Sequence, residues 1–373
     1  MNSKNAKERK KHIMEVIYCF DYGGSENLAA ILAKHFRMEG YYVSVCATHT
    51  NKGPISNDLE QIGIPCYAMN SVNHSKIGIR YALYKLFKKN MVDILHIHHV
   101  PMFRLCYFPA RLAGVEKIIL TEHTDYEMKT NERYHKMGKK YGPLADMITV
   151  VHNGLNQYFR NELNVNNEKI LTIYNGVDTQ LFRPDIIHNE FKKSLGIESK
   201  TITIGWIGRF HKDKDLKTLI HAFKLALQSY DKLALILVGE GEERSNIDIL
   251  VKSEGIEDYV YFTGQRNDIS YILNGIDIFA LSSKTEGLPL VILEALSTGV
   301  PCVATNVGGV SEVMNESVGA IVPPGDIYEF SQAILKLAID DNTRNKMGKV
   351  ARKYVLENFD QINMFDMYKK VFS

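Results

Sequence analysis

The stretch IMEVIYCFDYGGSENLAAILAKHF, residues 13–36, decides the fold. Its first eight residues form an apolar run of strand length, Gly23 and Gly24 break it, and an amphipathic helical pattern follows from Asn27 to Gly40. A strand that feeds a helix through a glycine-bearing loop opens a βαβ unit. The same signals return in TITIGWIGRFHKDKDL, residues 201–216. Around the first stretch lie apolar runs at 41–48, 65–69, 92–98, 117–123, 147–152 and 170–175; around the second, at 233–239, 259–264, 277–283, 301–305 and 319–324. Helical patterns separate the runs and close the chain from Asn342 to Phe372. Near-continuous apolar strands alternating with helices predict parallel sheets covered on both faces. Two such series predict two doubly wound, Rossmann-like α/β domains, 1–183 and 184–373, divided within NGVDTQLFRP at 175–184. Ligands in such folds bind beyond the carboxyl ends of the strands, here in a central cleft that the two domains face.

The 373 residues are 45% apolar, which rules out a disordered chain and favours two domains over one. With 45 Lys+Arg against 43 Asp+Glu, the net charge of +2 gives no argument for a nucleic-acid partner. The charge is unevenly spread, however: residues 1–183 carry 24 basic and 17 acidic side chains, and residues 184–373 carry 21 and 26. The halves therefore face different partners. Five cysteines without a CxxC pair read as buried free thiols in a reducing compartment. The basic N-terminus is followed by too short an apolar run, interrupted by Glu15, for a secretory signal, and no stretch has the length of a membrane span. A cytoplasmic protein that does not cross the bilayer is expected.

Four loops at strand ends carry chemistry. Gly23 and Gly24 precede a helix whose N-terminal N–H groups suit an anion, although a glycine pair also makes a plain turn. The dinucleotide fingerprint GxGxxG is absent there, which argues against a nicotinamide or flavin enzyme. In Gly208–Lys214, Arg209 and Lys214 place a planar fork and a point charge where a diphosphate can be neutralised; the plainer reading pairs them with Asp213 and Asp215. In EGLPLVILEAL, 286–296, Glu286 lies before the helix and Glu294 inside it among apolar neighbours. A carboxylate in that setting needs a specific partner, which sugar or ribose hydroxyls supply, unless it escapes to solvent. The helix start at Leu288, Leu290 and Val291 is a second phosphate candidate. Gly308–Gly309 repeats the pattern weakly.

Ten of the thirteen histidines fall in the first half. His96 and His98 alternate onto one strand face, but no acidic or cysteine ligand has helpful spacing nearby, so no metal is expected. His123 ends a strand as a candidate polar contact to substrate. Arg80, Lys85, Lys88 and Lys89 share a helical stretch with Tyr81 and Phe87, which suits an anionic membrane surface or an ordinary core-facing helix with a solvated basic face.

From Gly23 to about Asp326 these motifs together resemble the retaining glycosyltransferases of family 4, which have the two-domain GT-B fold. The Arg209–Lys214 pair, the Glu286–Glu294 pair and Asn175–Asp178 with Phe182 and Pro184 carry the likeness. The resemblance implies a nucleotide-diphosphate sugar donor, with C-terminal helices packing back toward the N-terminal domain. Arg209 and Lys214 would hold the diphosphate as it leaves, Glu294 the ribose, and Glu286 the transferred sugar. Gly23 and Gly24 would approach the donor from the other domain, His123 would contact the reacting sugar, and Arg266 would lie near the base. Many relatives have Gly where this chain has Asp215. No Asp-x-Asp metal motif is read, and with two cations and a helix dipole at the leaving group no cofactor or metal is required. The expectation is a retaining, metal-independent hexosyltransferase acting on a glycan or lipid-linked acceptor, placed at the inner face of a membrane by its basic half. Rival readings are a nucleotide-sugar epimerase or sugar phosphorylase on the same fold, and a non-catalytic sugar-nucleotide or glycan-binding subunit.

Overall fold

A computed structural model describes residues 9–49, 51–71, 75–124, 126–185 and 188–373. Every apolar run singled out above contains one strand. Seven make the first sheet: β1 (His12–Ile17), β2 (Tyr42–Ala47), β3 (Cys66–Ala68), β4 (Ile94–His98), β5 (Lys117–Glu122), β6 (Met147–Val150) and β7 (Ile170–Thr172). Six make the second: β8 (Ile202–Ile207), β9 (Leu233–Val238), β10 (Val260–Gly264), β11 (Ile278–Leu281), β12 (Cys302–Thr305) and β13 (Gly319–Val322). The orders are β3-β2-β1-β4-β5-β6-β7 and β10-β9-β8-β11-β12-β13, with parallel pairing throughout. Both sheets are doubly wound, and the order reverses between β1 and β4 in one and between β8 and β11 in the other. Those two switch points are where the fold offers ligand sites.

Each sheet buries its own core. In the first, Leu95, Ile97 and Leu120 pack with Phe103 and Cys106 of the helix Val100–Ala113 and with Leu83 and Phe87 of the helix Lys76–Lys89. In the second, Ile204, Trp206, Leu235 and Leu237 meet Leu219 and Phe223 of Leu216–Ser229, and Phe330 and Ile334 of Ile327–Ile339. Each such side chain contributes about 1.5–3 kcal/mol by leaving water. All five cysteines are free thiols, four of them buried.

The compact units are Met1–Ile173 with Phe365–Ser373, and Tyr174–Met364. The division thus falls before the punctuated stretch 175–184, not at its end, because hydrogen bonds fasten that stretch to the second unit. Val177 pairs with the strand-like turn at Phe359–Gln361, and Arg352 donates to the carbonyls of Thr179 and Phe182 at 2.8 Å each. A Cβ on Gly176 would stand 2.4 Å from Gln361 Cα, so only glycine admits this approach. The helix Asp341–Asn358 stays with the second unit, while the last turns of Gln361–Phe372 return to the first. There Phe365 stacks on His35 at 3.8 Å between centroids, and Phe372 meets Phe36 edge-on at 4.7 Å.

Candidate active site

In the second unit a close ion pair joins the loops after β8 and β11, the strands flanking the switch point. Lys214 Nζ donates to Glu286 Oε1 at 2.6 Å, and Ser283 Oγ donates to the same oxygen at 2.6 Å. Backbone contacts brace the pair: Ser282 Oγ donates to Lys214 O at 3.0 Å, and Lys284 N to Asp213 O at 2.8 Å. Glycine explains how Glu286 is held from below. Gly308 has φ +53° and would place a Cβ 2.0 Å from Glu286 O, while Gly309 N donates to Gly287 O at 2.7 Å. The second glycine pair therefore supports the Glu286 loop by close approach.

Arg209 is exposed and has no hydrogen bond or ion pair among the described residues, while its neighbour Phe210 is fully buried against Trp206. The buried ring anchors the loop and leaves the guanidinium free for an anion. Lys214 ends a short 3-10 turn, Lys212–Lys214, and Asp215 then takes the left-handed conformation at φ 43° before the helix Leu216–Ser229. Glycine adopts that backbone without cost. Asp215 tolerates it and accepts from Thr218 Oγ at 2.8 Å. Asp213-Lys214-Asp215 has Asp-x-Asp spacing, a correction to the sequence reading. Asp215, buried, faces Lys284 Nζ at 3.4 Å, while His211 Nδ1, 3.2 Å from the Asp213 carboxylate, accepts from Asp213 N at 3.3 Å.

Pro289 caps the helix Leu290–Ser297, whose first N–H groups have no side-chain cap, with Leu288 and Val291 on either side of its start. Glu294, half-buried inside it, has no side-chain hydrogen bond or ion pair among the described residues, and burial raises its carboxyl to about 7. Its chemistry is that of a group awaiting hydroxyl donors. Arg266 is not brought into this group. It follows the edge strand β10 and forks onto Asp268, Nε to Oδ1 at 2.8 Å and Nη2 to Oδ2 at 2.5 Å.

In the first unit, Gly23 caps the helix Gly24–Met38, and a Cβ there would meet Glu26 Oε2 at 2.4 Å, so glycine makes room for a folded-back acid. Gly24 has open space around it. His123 follows β5 in a cluster of polar side chains that sequence reasoning had not assembled. His98 Nδ1 lies 2.9 Å from His123 Nε2, and His98 Nε2 lies 3.0 Å from Glu15 Oε2, whose carboxylate is also 2.7 Å from His96 Nδ1. Burial lowers His96 to about 3 and His98 to about 4, and, with the neighbouring histidines, takes His123 well below its ordinary value. Burial also raises the Glu15 carboxyl, against the opposing bond from His98.

Glu15, His96 and His98 have the composition of a metal site, with ligand-type atoms within 4.8 Å of one another. Glu15 stands opposite His96 on the neighbouring strand, so the absence of an acidic ligand holds in sequence but not in space. The 3.0 Å contact of His98 Nε2 with Glu15 Oε2 is a hydrogen bond, and His96 Nδ1 lies 2.7 Å from the same oxygen; two donor atoms on one tetrahedral zinc, with bonds of about 2.0 Å, stand about 3.3 Å apart. On the other side of His123, His99 adopts φ 72° and lies with Nδ1 2.6 Å from Glu122 Oε1. Glu122 also accepts from Val100 N and His123 N. Burial alone would lower His99, but Glu122 outweighs it and the net shift is upward. Strained backbone of this kind concentrates at functional sites. The signal for Glu15 was present in the sequence: an acid inside a strand of otherwise apolar residues is costly and needs a reason.

Residues 22–181 match the family Glycosyltransferase Family 4, and residues 188–354 match Glycosyl transferases group 1. The chain is 31% identical over 301 residues to the UDP-Gal:alpha-D-GlcNAc-diphosphoundecaprenol alpha-1,3-galactosyltransferase of Escherichia coli, covering 78% of each chain. It is 27% identical over 368 residues to the N-acetyl-alpha-D-glucosaminyl L-malate synthase of Bacillus anthracis, covering 95% of each. Among solved structures, Anabaena HepE in complex with UDP and glucose superposes with a TM-score of 0.86 at 20% identity, over 97% of this chain and 99% of that one. That last likeness is one of fold, the GT-B fold.

Proposed function

Since this chain belongs to the family 4 glycosyltransferases, enzymes that draw on nucleotide-sugar donors, we propose that it transfers a hexose with retention and without a metal. The proposed acceptor is a glycan or lipid-linked hydroxyl. The observation that carries this reading is the Lys214–Glu286 pair beside the unpartnered Arg209 at the second switch point. As the anomeric C–O bond breaks, charge grows on the departing diphosphate and oxocarbenium character grows on the sugar. Cations held at the leaving group stabilise that transition state more than the ground state. We assign this role to Arg209 and Lys214, with the uncapped start of Leu290–Ser297 adding its dipole. Glu286, fixed by Lys214 and Ser283, is assigned to the transferred sugar, Glu294 to the ribose hydroxyls, and His123 to a sugar hydroxyl.

Glu286 is already engaged by a lysine and a serine, and the Glu294 carboxyl is raised to about 7, so neither has the setting of a displacement nucleophile. The donor's own phosphate is the proposed base for the acceptor proton. Proton NMR of the product anomer tests retention: an inverted linkage relative to the donor would end this reading.

We further assign the first unit to the acceptor and to the surface of an anionic membrane. Among the described residues no helix is long and apolar enough to cross a membrane. The helix Lys76–Lys89 exposes Ile77 (82%) and Tyr81 (57%), with Lys85 Nζ 4.4 Å above the Tyr81 ring. The adjoining Val100–Ala113 exposes Phe108 (50%) and Leu112 (75%). Apolar side chains set among lysines suit a headgroup boundary.

A further inference from the structure

His123 can offer a ligand either a lone pair or a hydrogen, and the buried side chains behind it decide which. Glu15 and His96 stand opposite each other on β1 and β4, and both are fully buried with His98. Glu15 Oε2 faces two ring nitrogens, His96 Nδ1 at 2.7 Å and His98 Nε2 at 3.0 Å. Only the His98 contact has hydrogen-bond geometry; His96 Nδ1, though close, makes no hydrogen bond to the acid. A carboxylate oxygen accepts and has no hydrogen to give, so Glu15 Oε2 takes its bond from His98 Nε2. His98 therefore carries its hydrogen on Nε2 and keeps a lone pair on Nδ1. That lone pair lies 2.9 Å from His123 Nε2, which must donate. His123 is left with a bare Nδ1, and the residue is half-buried, not sealed in the core.

We propose that Glu15 is a positioning residue which, through His98, fixes His123 in the tautomer with hydrogen on Nε2, so that Nδ1 accepts a hydrogen bond from a substrate hydroxyl. The rings are neutral under ordinary conditions because burial holds His98 at about 4 and His123 well below its usual range. Tautomer, not charge, is then what the buried acid controls. The functional half of this inference rests on the reading of His123 as a sugar contact; the tautomer itself does not.

The test is two-bond proton–nitrogen NMR on the full chain with 15N-labelled histidine, without substrate. In the parent chain His98 and His123 are both expected as the Nε2–H form. Glu15→Leu removes the acceptor without adding a donor, and His98→Leu breaks the chain one step later, so each is expected to release His123 into a mixture of tautomers. In a transfer assay both lower kcat by about tenfold, the scale of one hydrogen bond, with donor KM within about twofold. The double variant loses no more than either single one. An Nδ1–H signal for His123 in the parent, or an unchanged His123 in whichever variant folds, overturns the proposal. A role confined to stability would lower the melting midpoint and leave the tautomer as it was. A parent chain that transfers no sugar but shows the expected tautomers refutes the proposed function instead.

Discussion

Lys214 Nζ and Glu286 Oε1 lie 2.6 Å apart, joining the loops that follow the two strands at the switch point of the second sheet. The cation assigned to the leaving group and the acid assigned to the sugar are therefore one unit. Lys214→Ala is expected to lower kcat by about 10²–10³, the scale of losing one electrostatic donor in a transition state. Glu286→Gln should also cost activity, and the double variant should lose less than the product of the two. Strictly multiplicative losses in steady-state assays would mean that the residues act independently.

Glu294 makes the opposite prediction for stability and function. Its carboxyl is raised to about 7 in the folded chain from an ordinary 4.5, so the folded state holds a proton that the unfolded state releases between those values. The stability this supports is complete below pH 4.5 and is lost as pH rises through 7, at most about 3 kcal/mol. Glu294→Gln should therefore melt higher than the parent at pH 8 and equally at pH 4.5. It should also lose the upward thermal shift expected in the parent from a nucleotide-sugar donor. A variant that keeps the ligand shift would remove Glu294 from the ribose site.

Acid should destabilise the first unit. His96 and His98 are held at about 3 and about 4, below the ordinary 6.5, so the unfolded chain takes up protons that the folded chain refuses. Their contribution is present above pH 6.5 and is lost as pH falls toward 4, with a slope of about 1.4 kcal/mol per pH unit for each net proton. Glu15 and His99, shifted upward, offset part of it. Thermal melts from pH 7 to pH 4.5 should show a falling midpoint, and a flat profile would contradict the buried neutral histidines.

Chelation should leave the reaction untouched. Transfer in EDTA is expected at the full rate, because Arg209 and Lys214 supply the positive charge and the buried Asp215 already has a lysine and a hydroxyl partner. Loss of turnover restored by Mg²⁺ or Mn²⁺ would reinstate the Asp-x-Asp spacing as a metal motif.

Charge reversal on Lys76–Lys89 tests the surface. Lys85→Glu with Lys88→Glu should release the chain from vesicles of mixed neutral and anionic lipid at low salt. Each lysine removed is worth about 1 kcal/mol near such a surface. Co-sedimentation measures it, and parent chain left entirely in the supernatant would discard the membrane assignment.

Much of this was legible in the residues, and the limits have physical causes. The apolar runs became strands because buried parallel sheets demand continuous hydrophobicity, a local property. Lys214 and Glu286 could each be picked out by type and position, but not their contact, which spans 72 residues and depends on strand order. Glu15 was hidden because its meaning lies across the sheet in His96 and His98, more than 80 residues away. Arg266 could be picked out by type, but not that its side chain forks onto Asp268 two residues along.

The return of Phe365–Ser373 to the first unit bears on how the chain is made. A ribosome releases Met1–Ile173 long before the segment that covers Phe36 and lies beside His96 has been translated. Until all of Tyr174–Met364 has emerged, the nascent first unit keeps an apolar seam open to chaperones and to other copies of itself. The unit begun first is finished last.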